Sequence, residues 1–408
     1  MSRQVDKVVL VVLDGLGIGG GPGDSCDGES SPNSFGHVWR AVGGMNIPFL
    51  GGSGLGRVAG VPLGCWEASL DADWGRAFGR SRQVSEDFCE SYSAHWEMAG
   101  VVAEQVHHYP EGLPSDCLAA VEEQLGVPVL GNRPYYPDYL DISEELVRTH
   151  SGAGGVILLT DKRPEAVGTF AVYADIRVLE PPRLFLLTRQ LRDVLRGRGL
   201  QGRACARCLD TSARPIRLLD TRLDLPFFEV PGRTVLSAIH ESGRFCVATG
   251  KVGVLFNNTG FTECLSSWNS EDIFANTCRA LEVPGSGLVW ANLNELNRPY
   301  GSSCDVRGWA RTLEKYDVWL SKLAGQLGLS DLLIVTGDHG RDPTLNGAQT
   351  REWTPLLCVG QGVASGPLGC RRHSDIAATL RDIWSLDFGS GGESFAAGLF
   401  RETKLPVE

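Results

Sequence analysis

No run of the 408-residue chain approaches the roughly 18 consecutive apolar residues that a membrane-spanning helix needs. The first apolar stretch, residues 8–13, is too short for a secretory signal, and Asp14 ends it. Positive charge is in deficit: 38 Lys and Arg stand against 49 Asp and Glu, a formal net charge of −11. Such a chain has no overall electrostatic reason to bind nucleic acid or an anionic membrane, although a local basic pocket for a small anion stays open to it. Cysteine is thinly spread, with 12 residues and only Cys205 and Cys208 in a C-x-x-C. A zinc ribbon needs a second such pair, so free thiols in a reducing compartment are expected, and with them a cytoplasmic protein. What remains is an ordinary globular composition, 42% hydrophobic and 21% charged, long enough for two domains.

The chain opens on Lys7-Val-Val-Leu-Val-Val-Leu13 followed by Asp14-Gly-Leu-Gly-Ile-Gly19. A continuous β-branched run ended by glycine predicts a buried strand of a parallel sheet, with Asp14 at the edge where such sheets bind ligands. Residues 19–34, rich in Gly, Ser, Asp and Pro, predict a loop. Near the other end, Trp309, Leu313, Tyr316, Leu320, Leu323 and Leu327 fall on one helical face, with Gly328 as the expected C-cap. Residues 332–335 then predict a second buried strand, ending in Thr336-Gly-Asp-His-Gly340. Further strands are expected at 155–160 and 287–293, and a helix at Ser374 running through Ile376, Leu380 and Ile383.

The middle reads differently. Helical patterns at 115–125, 142–149 and 186–200 alternate with short strands. An arginine-rich stretch follows, with Arg203, Arg207, Arg214, Arg217 and Arg222. It suits either a binding surface for an anion or a solvated face. The pattern predicts a domain inserted into a discontinuous α/β core.

Three segments carry the chemistry: Asp14; Glu90-Ser91-Tyr-Ser-Ala-His95-Trp-Glu97; and Gly337-Asp338-His339-Gly-Arg-Asp342 with Thr350-Arg-Glu352. Two carboxylates and an imidazole at strand ends suit a divalent cation, and a nearby hydroxyl becomes a nucleophile beside one. The same Asp-His pair also suits a helix cap and a core histidine.

These segments resemble those of the phosphopentomutases in the alkaline phosphatase superfamily. Asn33-Ser-Phe-Gly-His37, Gly43-Gly-Met-Asn-Ile-Pro48, His95-Trp-Glu-Met-Ala-Gly100, Asp338-His-Gly-Arg-Asp-Pro-Thr344, Thr350-Arg-Glu352 and Ser374-Asp-Ile-Ala-Ala-Thr379 follow that family's blocks in order. The resemblance implies a mostly parallel sheet with helices on both faces, residues 1–103 and 230–408, and an inserted α+β cap at 104–229. It implies a metal site at Asp14, Asp338 and His339, with Ser91 as ligand and phosphoryl acceptor where the family has threonine. Arg207, Arg217 and Arg222 fall in the segment that contacts substrate.

The departures are as informative. The family's second metal site falls on Asn297, Ser302 and Gln349, all neutral. One divalent ion is therefore expected, Mn²⁺ first and Mg²⁺ or Zn²⁺ as alternatives. Cys89-Glu90 replaces a Lys-Asp pair, and Ala94 a glycine. The implied activity is phosphoryl transfer on a small anionic sugar or nucleoside phosphate. Single-ion hydrolysis or transfer of another phosphate or sulfate ester, and a binder without turnover, are the competing readings.

Overall fold

The computed structural model describes residues 5–20, 31–62, 74–85, 91–103, 109, 111–135, 142–161, 168–213 and 216–400. Cys89, Glu90, Arg214 and most of the predicted 19–34 loop lie outside these residues. The chain divides into two compact units, residues 1–103 with 230–408 and residues 104–229.

The first unit is built on an eight-stranded sheet. From one edge to the other its strands are Gly366–Arg372, Gly75–Arg82, Thr354–Gly360, Leu332–Thr336, Lys7–Leu13, Gly287–Leu293, Phe245–Thr249 and Glu263–Leu265. The last five run parallel. Thr354–Gly360 is antiparallel to both its neighbours. Lys7–Leu13 is central because it is apolar on both faces, as a strand covered by two helical layers must be. Val9, Val11 and Leu13 face the layer that holds Phe35, Trp309, Leu313 and Tyr316. The opposite face includes Trp290, on which the His95 ring stacks at 5.6 Å. Each fully buried Val or Leu here contributes about 1.5–3 kcal/mol of apolar burial.

The helix predicted from Trp309 onward spans Val306–Ala324, capped at its start by the Asp305 carboxylate, which accepts from Gly308 N. It ends earlier than the periodicity implied. The N–H of Gly325, not that of Gly328, closes the last turn onto Ser321 and Leu323 carbonyls. Gly328 N instead donates to Asp331 Oδ2, and buried Leu327 belongs to the following turn. The late helix spans Ser374–Trp384 with His373 at its N-cap, so Ser374 is its first residue rather than its cap.

In the second unit, five strands lie in the order Val129–Tyr135, Val156–Asp161, Thr169–Asp175, Arg203–Asp210, Arg217–Pro226. Alternate residues feed two cores. Val156, Leu158, Phe170 and Val172 pack under helices Ser115–Leu125 and Pro181–Gly197. Ile157, Leu159, Ala171 and Tyr173 pack on the other side, with Leu146 and Val147 of helix Glu144–Ala153. The helix expected from Leu186 begins at Pro181, because proline at a helix's first turn needs no N–H partner. Cys205 and Cys208 are buried free thiols on one strand, and burial pushes the Cys205 thiol up to about 12. No helix among the described residues is long and apolar enough to cross a membrane.

Candidate active site

Parallel strands release their chains at one edge of a sheet, and here they release polar and titratable groups. Asp14 follows Leu13, Lys251 follows the Phe245–Thr249 strand, Asn292 lies near the end of Gly287–Leu293, and Asp338-His339 follow Leu332–Thr336. Ser91 is the first residue of the helix Ser91–Met98. The long sequence separations between them are closed only by the register of the strands.

Ser91 Oγ donates to Asp338 Oδ2 at 2.6 Å and accepts from Lys251 Nζ at 2.6 Å. Lys251 Nζ also pairs with Asp14 Oδ2 and lies 3.9 Å from Asp338 Oδ2. His339 Nε2 stands 3.4 Å from Asp14 Oδ1 and 3.4 Å from Ser91 Oγ. All these side chains are buried. His95 fixes the start of the Ser91 helix: its Nδ1–H donates to Ser91 O at 2.7 Å. Burial pushes the His95 imidazole down to about 3, so it is neutral and structural.

Burial raises the Asp14 carboxyl, and the charge of Asp338 adds to the effect, against Lys251 and His339. Burial acts the same way on Asp338, but His339 and Lys251 outweigh it and hold that carboxyl below the usual range. The two carboxylates thus face one buried ammonium and one imidazole.

The arrangement fits a divalent cation. One ligand atom from each of Asp14, Asp338 and His339 lies within 4.8 Å of the others. Asp14 Oδ1 is buried with no hydrogen-bond donor among the described residues. His339 Nδ1 lies 3.0 Å from Gly340 O, so its proton is on Nδ1 and Nε2 carries the lone pair a metal takes. Hard oxygen with imidazole suits Mn²⁺, Mg²⁺ or Zn²⁺.

The sequence motifs also contain carboxylates that do other work. Glu352 accepts from Gly19 N, Ser34 N, Ser34 Oγ and Thr350 Oγ1 at 2.6–2.8 Å, tying three loops together. Gly17 is required by this packing, since a Cβ there would lie 2.4 Å from Glu352 Cδ. Asp342 anchors His37 and Thr344 in the same way.

Comparison with known proteins shows the family. The Metalloenzyme superfamily profile matches residues 240–387. The chain is 34% identical to a phosphopentomutase of Syntrophotalea carbinolica, over 95% of this chain and 97% of that one. It is 31% identical to a phosphopentomutase of Alkaliphilus metalliredigens, over 96% and 98%. The chain belongs to the phosphopentomutase family. Among solved structures, a phosphoglycerate mutase of Leishmania mexicana aligns over 96% of the chain and 97% of its own, with TM-score 0.47 and 15% identity. The segment matched by the Metalloenzyme superfamily profile carries Asp338 and His339, two of the three residues of the cluster, and the fold is the alkaline-phosphatase-like α/β sheet.

Of the positions that the resemblance aligned with the family's second metal site, Asn297 and Gln349 lie beside the first. Asn297 packs on the residue after Asp14, 3.2 Å from where a Gly15 Cβ would be. Gln349 Nε2 donates to His339 Nε2 at 3.0 Å. Ser302 Oγ donates to Pro299 O at 3.3 Å. Among the described residues the only group of three or more metal-ligand side chains is Asp14, Asp338 and His339, so these neutral residues do not fit a second ion. Glu295, the carboxylate next to this turn, is paired with Lys315 at 2.8 Å.

The three arginines do not form one cluster. Arg207 Nη2 donates to buried Asp224 at 2.8 Å, and Arg222 Nε lies 3.8 Å from the same carboxylate. Arg217 is exposed and sits opposite Asp210 in the strand register. Sequence reasoning passed over Lys251 as a chemical group. Its signal was a lysine two residues beyond a buried strand, Phe245–Thr249, the position that Asp338 holds beyond its own strand.

Proposed function

We propose that this protein transfers a phosphoryl group on a small sugar phosphate, a pentose phosphate first, through Ser91 and with one divalent ion, manganese ahead of magnesium or zinc. The observation that carries the reading is Ser91 Oγ, held at 2.6 Å from both Asp338 Oδ2 and Lys251 Nζ beside the Asp14–Asp338–His339 cluster. The name borne by the relatives, phosphopentomutase, supports the substrate class. Bound by Asp14, Asp338 and His339, the ion supplies Lewis acidity that makes the serine oxygen nucleophilic.

The protein's own groups do the rest. Ser91 Oγ forms the new bond to phosphorus as the donor ester's P–O bond breaks. Its proton passes by way of Asp338 Oδ2, the acceptor it already faces, to the departing sugar oxygen, which leaves as a hydroxyl. Lys251 holds the attacking oxygen in place and offsets the charge of the phosphoryl group. Return of the phosphoryl group to a second hydroxyl of the sugar completes a mutase cycle. Of the three arginines, Arg207 and Arg222 share Asp224 and Arg217 is exposed.

Loss of the second ion's ligands favours one alternative, a single-ion hydrolase or transferase of another ester. Phosphorus NMR on metal-loaded protein with pentose 1- and 5-phosphates separates the two. Interconversion without inorganic phosphate supports the mutase. Release of phosphate alone supports the hydrolase, and no change in any ester tested refutes both.

A further inference from the structure

We propose that the Arg341 guanidinium supplies, from within the chain, the positive charge that a second divalent ion would otherwise bring to this site. The inference rests on the single-ion reading above. Arg341 is among the largest fully buried side chains, at 1% exposure. A cation is placed in an interior only where anionic or dipolar groups repay its desolvation.

Its position is defined by three contacts. Gly340–Arg341 pairs antiparallel with Gln349–Thr350, and Arg341 stands directly opposite Gln349. Residues so paired project from one face of the ladder, with Cβ atoms about 5 Å apart. The Arg341 stem then crosses Gly301, where a Cβ would lie 2.9 Å from both its Cγ and Cδ. Any larger residue at Gly301 would displace the arginine. The Arg341 backbone is pinned as well, its N–H donating to Ser34 Oγ at 2.8 Å. The side chain therefore runs between Gln349 and the 297–302 turn, which holds Asn297 and Ser302. Gln349 in turn touches the metal ligand His339.

Asn297 Oδ1 and Gln349 Oε1 are buried acceptors that take no donor, the Arg341 guanidinium included, among the described residues. Neutral amides cannot hold a transition ion, but they tolerate a guanidinium, which needs no anionic ligand set. A planar guanidinium also presents paired N–H groups that match the oxygens of a phosphoryl group, as an arginine does in other phosphoryl-transfer sites.

The test counts metal. Elemental analysis should give one equivalent of manganese for the unaltered protein. The combined variant Asn297→Asp, Ser302→His, Gln349→His should still hold one, because Arg341 fills the place. The same variant with Arg341→Asn should hold two. Two equivalents in the unaltered protein would overturn the single-ion reading itself. Two in the triple variant with Arg341 intact would overturn only the inference. Binding of inorganic phosphate by calorimetry, with circular dichroism as the fold control, provides the second arm. Arg341→Gln should weaken phosphate about 10- to 100-fold with metal content unchanged, and Arg341→Lys should retain most of the affinity. Equal phosphate affinity in Arg341→Gln and the unaltered protein, both folded, would also overturn it.

Discussion

Removing one oxygen tests the centre of the mechanism. Ser91→Ala deletes the hydroxyl that bridges Asp338 and Lys251, each at 2.6 Å. Hydrogen bonds to charged groups are worth about 1.5–3 kcal/mol each. Lys251 keeps its pairing with Asp14, and His339 stays near both carboxylates, so most of the charge balance survives. The net cost is on the order of 1–3 kcal/mol, a melting shift of several degrees in a unit of this size. Turnover should fall by roughly 10⁴-fold or more, the usual scale for deleting a nucleophile. Bound metal should stay near the unaltered level, since Asp14, Asp338 and His339 are intact. Ser93 is the control: it lies two residues along the helix Ser91–Met98, about 200° around its axis, and its Oγ accepts from Gln83 Nε2 at 2.6 Å. Ser93→Ala should keep turnover. Steady-state kinetics and phosphopeptide mapping after brief exposure to a sugar phosphate provide the readout. Activity within tenfold of the unaltered protein in Ser91→Ala, or phosphate mapped to Ser93, would refute the assignment.

Three further variants test charge and burial elsewhere. Arg207→Ala leaves buried Asp224 with Arg203 and Arg222 as its remaining counter-charges, and should destabilise the chain by about 3 kcal/mol. Asp224 is held below the usual carboxylate range, so its contribution is present above the ordinary Asp pKa and lost as pH falls below it; thermal melts of Arg207→Ala and the unaltered protein should converge in acid. Arg217→Ala, at an exposed position, should melt within about 0.5 kcal/mol of the unaltered protein. Burial raises Glu97 from 4.5 to about 7, against the N–H groups of Val84 and Ser85. A raised carboxyl favours the folded state below its unfolded pKa, and that stability drains away as pH rises through the folded value, on the order of 3 kcal/mol here. Glu97→Gln should therefore narrow the gap in melting temperature between pH 5 and pH 8, and an unchanged gap would refute the burial argument.

The strands and their ends were legible in the sequence because a strand buried on both faces must be apolar throughout. Lys7–Leu13 and Leu332–Thr336 show that run in their own residues, and glycine beyond each marks the exit. Ordered motifs likewise pointed to Asp14, Ser91, Asp338 and His339, which the fold brings together. Helix ends were less legible. Gly325 and Gly328 are both plausible caps in sequence, and only the backbone path chose Gly325. Charge partners were not legible at all. Arg207, Arg217 and Arg222 look alike along the chain, and strand register alone gave Asp224 to Arg207 and Arg222 and left Arg217 exposed. The same holds for Lys251, brought to Ser91 from 160 residues away, and for Arg341, set against Gly301 and Gln349. Local propensity is written in neighbouring residues, whereas the balance of buried charge depends on distant residues that only the folded sheet brings within a few ångströms.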